Sequence, residues 1–133
     1  MRPGGDRQGV QGASDRVGAL IDNPGADAPI RQVSATELKA LIDRGTPFEL
    51  VDVRTDQERA LARIEGSRLL DRAYHDALLA MDRDTPIVFQ CHHGVRSQQA
   101  AEYFRREGFR DLSNLQGGID AWSVLVDASV PRY

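Results

Sequence analysis

Cys91 is the single cysteine of a 133-residue chain, and it heads the run Cys91-His92-His93-Gly94-Val95-Arg96-Ser97. A thiol, two imidazoles, a guanidinium and a hydroxyl so close together are the parts of a nucleophile and of a pocket for an anion. The run lies between the apolar stretch Ile87-Val88-Phe89-Gln90 and a helical pattern over 97–107, which makes it a strand-to-helix loop. Amide hydrogens at the start of a helix lack intrahelical partners, and the helix dipole adds partial positive charge there. Gly94 allows the loop to curl, so that several such amides aim at one centre. The first anion available to them is the Cys91 thiolate. A free thiol is only roughly 3% ionised at pH 7, and lowering its pKa by about two units takes about 2.7 kcal/mol of differential stabilisation. The dipole, Arg96 and the imidazoles of His92 and His93 are suited to supply it. A lone cysteine is more often a buried structural residue. Its place at a strand end, ahead of Gly94 and Arg96, argues for the reactive reading.

Other groups invite chemistry but have simpler explanations. Asp52 and Arg54 stand at the end of the apolar run Phe48-Glu49-Leu50-Val51-Asp52-Val53, with Glu58 four residues beyond Arg54. An aspartate at a strand end ties down the neighbouring loop and an Arg–Glu pair fixes a turn, so these three are assigned to structural support. Adjacent residues in a tight loop seldom converge on one ion, so His92, His93 and Cys91 are not read as a metal site, and no cofactor is expected. Gly117-Gly118 reads as a tight turn and Trp122 as core.

These residues need a scaffold, and the punctuation of the chain supplies one. Ser34-Ala35-Thr36-Glu37 fits a capping box for a helix that Gly45 ends. The pattern then predicts a strand over 48–53, a helix over 56–62, a short strand over 68–70 and a helix over 74–81. A buried-type strand over 87–90, the helix over 97–107, a strand over 112–115 and a helix over 119–125 complete it. Strands alternating with helices imply an α/β fold, a central parallel sheet with helices on both faces. Ligands in such sheets sit beyond the carboxyl ends of strands, which selects Asp52-Val53-Arg54 and the loop at Cys91.

Residues 1–32 hold half of the 12 glycines and read as a flexible arm or linker, leaving 33–133 as the folded domain. With 17 basic against 20 acidic residues the net charge is -3, which argues against a nucleic-acid binder. No apolar run approaches the roughly 18–20 residues of a membrane-spanning helix. The amino terminus lacks the apolar segment of a secretory signal, so cytoplasm is the expected location.

Cys-x-x-Gly-x-Arg-Ser at 91–97 closely resembles the active-site loop of rhodanese-like sulfurtransferases. Asp52-Val53-Arg54 followed by Glu58, and Gly117-Gly118-Ile119-Asp120-Ala121-Trp122, are similar to two further elements of that family, in the same order. The resemblance covers residues 33–133 and departs at Arg59, where the family often has an aromatic residue, and at Arg63, where it usually has histidine. It implies a rhodanese-like fold and a sulfur transfer in two steps, with Cys91 as the nucleophile that becomes a persulfide. The implied donor is thiosulfate or a related small molecule. The acceptor would be cyanide, a thiol or an acceptor protein. The backbone amides of His92, His93, Gly94, Val95, Arg96 and Ser97 would cradle the terminal sulfur, with Arg96 bracing the loop or attracting the donor and His93 assisting with donor charge.

Three other functions compete. Cysteine phosphatases use a comparable loop with five residues before the arginine; four separate Cys91 from Arg96 here, a narrower cradle better suited to sulfur than to phosphate. A non-catalytic partner-binding module is the other main alternative, against which the retained Cys91 argues. Redox sensing would need a resolving thiol from elsewhere. The sulfurtransferase reading carries one structural requirement: Cys91 must be reachable from solvent.

Overall fold

Short apolar runs become strands where their two faces can both be covered, and this chain has helices enough to cover both. The computed structural model describes residues 28–133. Its strands are β1 (Ile30–Val33), β2 (Glu49–Asp52), β3 (Arg68–Leu69), β4 (Ile87–Gln90) and β5 (Leu112–Leu115). Its helices are α1 (Ala35–Asp43), α2 (Asp56–Leu61), α3 (Arg72–Leu79), α4 (Val95–Arg106) and α5 (Gly118–Leu125). The sheet runs β1-β5-β4-β2-β3 with every neighbouring pair parallel, the α/β arrangement that the alternation predicts.

Alternation along each strand splits the core in two. Leu50, Val88 and Leu115 face a cluster with Leu38 of α1 and Ile119 and Trp122 of α5. Val51, Phe89 and Leu112 face the opposite cluster, with Tyr74 and Leu78 of α3 and Ala101 and Phe104 of α4. Each such side chain, once fully buried, contributes about 1.5–3 kcal/mol. The two layers hold the strand ends, and hence the loops that follow them, in fixed relation.

Helix starts are well marked. The capping box at Ser34 and Glu37 is present in both directions. A second joins Thr55 to Glu58 at the head of α2. The helix expected over 74–81 is Arg72–Leu79, and two further differences from the sequence reading bear on the site and the sheet. Residues 30–32, assigned there to the arm, form the edge strand β1: Ile30 opposes Leu112 and packs on the second cluster, and Arg31 pairs with Asp111. Nearby glycines and prolines masked so short a strand; residues 1–27 of the arm lie outside the described residues. Helix α4 begins at Val95, not Ser97, because Gly94 takes the left-handed conformation (φ 105°) and serves as its N-cap. No helix among the described residues is long and apolar enough to cross a membrane.

Candidate active site

Asp52 and Gln90 lie side by side in register at the carboxyl ends of β2 and β4, and Cys91 follows immediately. The N-cap of α4, Gly94, has no side chain with which to cap the first turn. The sulfur of Cys91 takes that role: Sγ accepts from the amides of Gly94 at 3.1 Å and Ser97 at 3.4 Å, and the Ser97 hydroxyl lies 3.2 Å away. An acceptor aimed at the first-turn amides is what a serine or aspartate supplies at other helices. Burial pushes the Cys91 thiol up, but the Ser97 hydroxyl and the amides of Ser97, Gly94 and Arg96 together bring it below its ordinary value. Since the folded pKa lies below the unfolded one, ionisation of Cys91 stabilises the fold above the unfolded pKa. That contribution is lost as pH falls through the folded value.

Cys91 is only 1% exposed, which bears directly on the requirement that it be reachable. The loop around it is the opposite: His93 is exposed, Val95 is 68% exposed and Gly94 is half-buried. The sulfur is therefore buried beneath exposed loop rather than displayed on it. The imidazoles of His92 and His93 stack at 3.9 Å, and the Tyr133 ring stacks on the other side of His92 at 4.0 Å. Burial lowers the pKa of His92, and the neighbouring His93 lowers it further.

The supporting residues pair differently from the sequence reading. Arg54 does not hold the Glu58 carboxylate; it grips Asp52 with two hydrogen bonds of 2.9 and 2.8 Å, and both side chains are fully buried. Its remaining hydrogens reach the Ala62 and Glu58 carbonyls and the Tyr133 hydroxyl, which leaves the buried charge fully engaged. Arg59, one of the two departures from the family pattern, adds a 3.0 Å contact to Asp52. Glu58 instead takes Arg96 in a two-pronged pair of 2.7 and 2.9 Å, while its other contacts cap α2 and accept from the Tyr133 hydroxyl at 2.8 Å. Arg96 holds the Glu58 carboxyl well below the usual range. Arg54 is committed to Asp52, and the guanidinium that reaches Glu58 comes from the first turn of α4.

His92 and His93 do gain a third neighbour with ligand chemistry, Asp120, all three ligand atoms lying within 4.8 Å of one another. Imidazole lone pairs lie in the ring plane, and these rings are within 23° of parallel, so the lone pairs point side by side instead of converging. Asp120 is already engaged by Arg132 at 2.8 and 3.2 Å. The trio is not a preformed chelate.

Gly118 supplies what Gly117-Gly118 concealed in the sequence. At φ 61° it presses against the backbone of Cys91 and His92, whose carbonyls accept the Ile119 and Asp120 amides at 2.8 and 3.2 Å. Three residues at the site were not singled out from sequence: Asn114, which accepts the Ser97 hydroxyl; Asp120; and Tyr133. Nothing local in the chain marks them, because each acts across more than a dozen residues.

Residues 34–125 match a family model described as the rhodanese-like domain. Among relatives, thiosulfate sulfurtransferase GlpE of Pseudomonas paraeruginosa is 38% identical over 99 residues, 74% of this chain and 88% of that protein. The probable adenylyltransferase/sulfurtransferase MoeZ of Mycobacterium tuberculosis is 29% identical over 119 residues, 87% of this chain but 30% of that longer protein. A crystal structure of a rhodanese-like domain protein from Staphylococcus aureus superposes with a TM-score of 0.63 at 30% identity, over 78% of this chain and 99% of that one.

Proposed function

The chain belongs to the rhodanese-like domain family, and from that premise we propose that it is a thiosulfate sulfurtransferase that carries sulfur as a persulfide on Cys91. The observation that carries the reading is the Cys91 sulfur itself, receiving the amides of Gly94 and Ser97 at the head of α4. In the first step the thiolate attacks the outer sulfur of thiosulfate. A sulfur–sulfur bond forms at Sγ, the donor's own sulfur–sulfur bond breaks, and sulfite leaves with that electron pair. The persulfide anion then holds its charge on the terminal sulfur, where the loop amides of residues 92–97 and the start of α4 stabilise it. In the second step a thiophilic acceptor, cyanide or a thiol, attacks that terminal sulfur and the Cys91 thiolate departs. Glu58 holds the loop through Arg96, Asp52 and Arg54 brace the segment that follows β2, and none of the three touches a reacting atom.

The test is intact mass and cyanolysable sulfur after incubation with thiosulfate. The expected result is a gain of one sulfur atom, released by cyanide; no gain with any of several sulfane donors would end the reading. Burial adds a second test. Iodoacetamide should alkylate native Cys91 and a bulky maleimide should react far more slowly, by about tenfold or more, on the general rule that reaction tracks access. A native thiol that resists even iodoacetamide, yet reacts in denaturant, would mean a sealed sulfur and no transferase.

In this reading Arg96 attracts the anionic donor, although Glu58 shares its charge. Because of that sharing, Arg96→Ala is expected to lower thiosulfate turnover by about tenfold or more, short of the roughly 100–1000-fold of losing a full oxyanion-hole donor. Its side chain is 43% exposed, so thermal stability should change by no more than about 1 kcal/mol. Steady-state kinetics on a chain of unchanged circular dichroism checks this, and unaltered kinetics would remove Arg96 from the mechanism.

A further inference from the structure

The Ser97 hydroxyl has one hydrogen and two neighbours that compete for it. Its oxygen lies 3.2 Å from Cys91 Sγ and also bonds Asn114 Oδ1. Which way the Asn114 carboxamide faces can be read from the far end of a chain of side chains. Glu102 is a carboxylate and can only accept, so Gln98 turns its Nε2 toward it, at 3.2 Å. Gln98 Oε1 therefore faces Gln32 and accepts from its Nε2 at 2.7 Å. Gln32 Oε1 in turn accepts from Asn114 Nδ2 at 2.9 Å, and the same nitrogen donates to the Gly94 carbonyl at 3.1 Å. With its nitrogen committed to two acceptors, Asn114 presents its oxygen to Ser97 and draws the hydroxyl hydrogen away from sulfur. Ser97 is fully buried and Asn114 is 4% exposed, so bulk water does not relieve the competition.

Resting on the reading of Cys91 as the nucleophile, we propose that Asn114 is a positioning residue that holds the Ser97 hydroxyl hydrogen while Cys91 is a thiol and yields it to sulfur when Cys91 ionises. In the thiol, Sγ–H donates to Ser97 Oγ and Oγ–H donates to Asn114 Oδ1. On ionisation the thiol proton leaves to solvent and the hydroxyl rotates about its Cβ–Oγ bond to donate to the thiolate. When Sγ becomes the neutral inner sulfur of a persulfide, the hydrogen returns to Asn114. The turn itself makes and breaks no covalent bond; S–H breaks in the ionisation that precedes it. Asn114 thus makes the free thiolate more costly and the loaded state less so. The titratable and charged groups around Cys91 are Arg96 of α4 with its Glu58 of α2, the loop imidazoles of His92 and His93, Asp120 of α5 with Arg132, and the Asp52–Arg54 pair at the end of β2.

The single cysteine permits a direct test, a carbon NMR titration of Cys91 labelled at Cβ. Asn114→Ala removes the competitor, so the midpoint should fall by about half a pH unit or more, at least about threefold more thiolate below it. In a Ser97→Ala background the same substitution should no longer lower the midpoint, since the hydroxyl is the route by which Asn114 raises it. A purely structural role gives the opposite sign: losing the bond to the Gly94 carbonyl loosens the loop, withdraws the Gly94 amide and raises the midpoint. An unmoved or raised midpoint, or a fall that persists without Ser97, overturns the proposal. Should Asn114→Ala fail to fold, the side-chain amide resonances of Asn114 in the unaltered protein serve instead. They should move with the Cys91 midpoint, and a flat response refutes the proposal. The titration reads the thiol and not turnover, so a protein that titrates as described yet takes no sulfur from thiosulfate sinks the persulfide reading alone.

Discussion

Cys91→Ser is expected to take up no sulfur and to keep at most about a thousandth of the thiosulfate turnover, the scale on which enzymes lose activity with their nucleophile. The substitution changes one atom, and the loop is built around that atom. Serine oxygen can still accept from the Gly94 and Ser97 amides, so the first turn of α4 remains capped and unfolding should shift by no more than about 1 kcal/mol. What it loses is ionisation at accessible pH, because the factors that bring the thiol below its ordinary value start, for an alcohol, from far too high a value. It also loses the ability to hold a second sulfur. Turnover, intact mass and thermal unfolding measured together check the prediction. A serine variant that still turned over thiosulfate would place the chemistry elsewhere.

Gly118→Ala is expected to be the most damaging methyl group in the site. A Cβ there overlaps the carbonyl oxygens of both Cys91 and His92, which belong to backbone and cannot swing aside as a side chain would. The same two carbonyls accept the first amides of α5, so moving them breaks the tie between catalytic loop and helix. Backbone strain at φ 61° and overpacking each typically cost about 1–3 kcal/mol, giving a loss of about 3 kcal/mol or more. Displacement of the nucleophile should lower sulfur uptake by about tenfold or more in addition. Gly66→Ala is the control: its φ is 87°, yet nothing lies within 4 Å of the new Cβ. It carries strain without the collision. Denaturant unfolding of both variants separates the two costs, and equal losses at 118 and 66 would refute the close approach.

Much of this molecule was legible from its sequence. Ser34 with Glu37 announces a helix start through contacts that span three residues, the unbroken run Ile87-Val88-Phe89-Gln90 announces a buried strand by its composition, and both stand where the pattern puts them. Cys91 was legible for the same reason: the helix whose amides it receives begins within its own loop. Pairing across the fold was not. Arg54 and Glu58 looked like partners because they are four residues apart, but Arg96 reaches Glu58 from the head of α4 and leaves Arg54 to Asp52. β1 was missed because a four-residue edge strand gains its stability from Leu112–Leu115 beside it, not from its own composition. The burial of Cys91 could not be read at all, since exposure depends on what folds over a residue rather than on the residue.

The Tyr133 hydroxyl meets Glu58 and Arg54, residues 75 and 79 positions earlier, and its ring lies on His92. A polypeptide made from its amino end delivers these partners at very different times. Residues 131–133 belong to neither apolar cluster, so the sheet, the helices and the thiol loop can close without Tyr133, which then adds the outer aromatic stack.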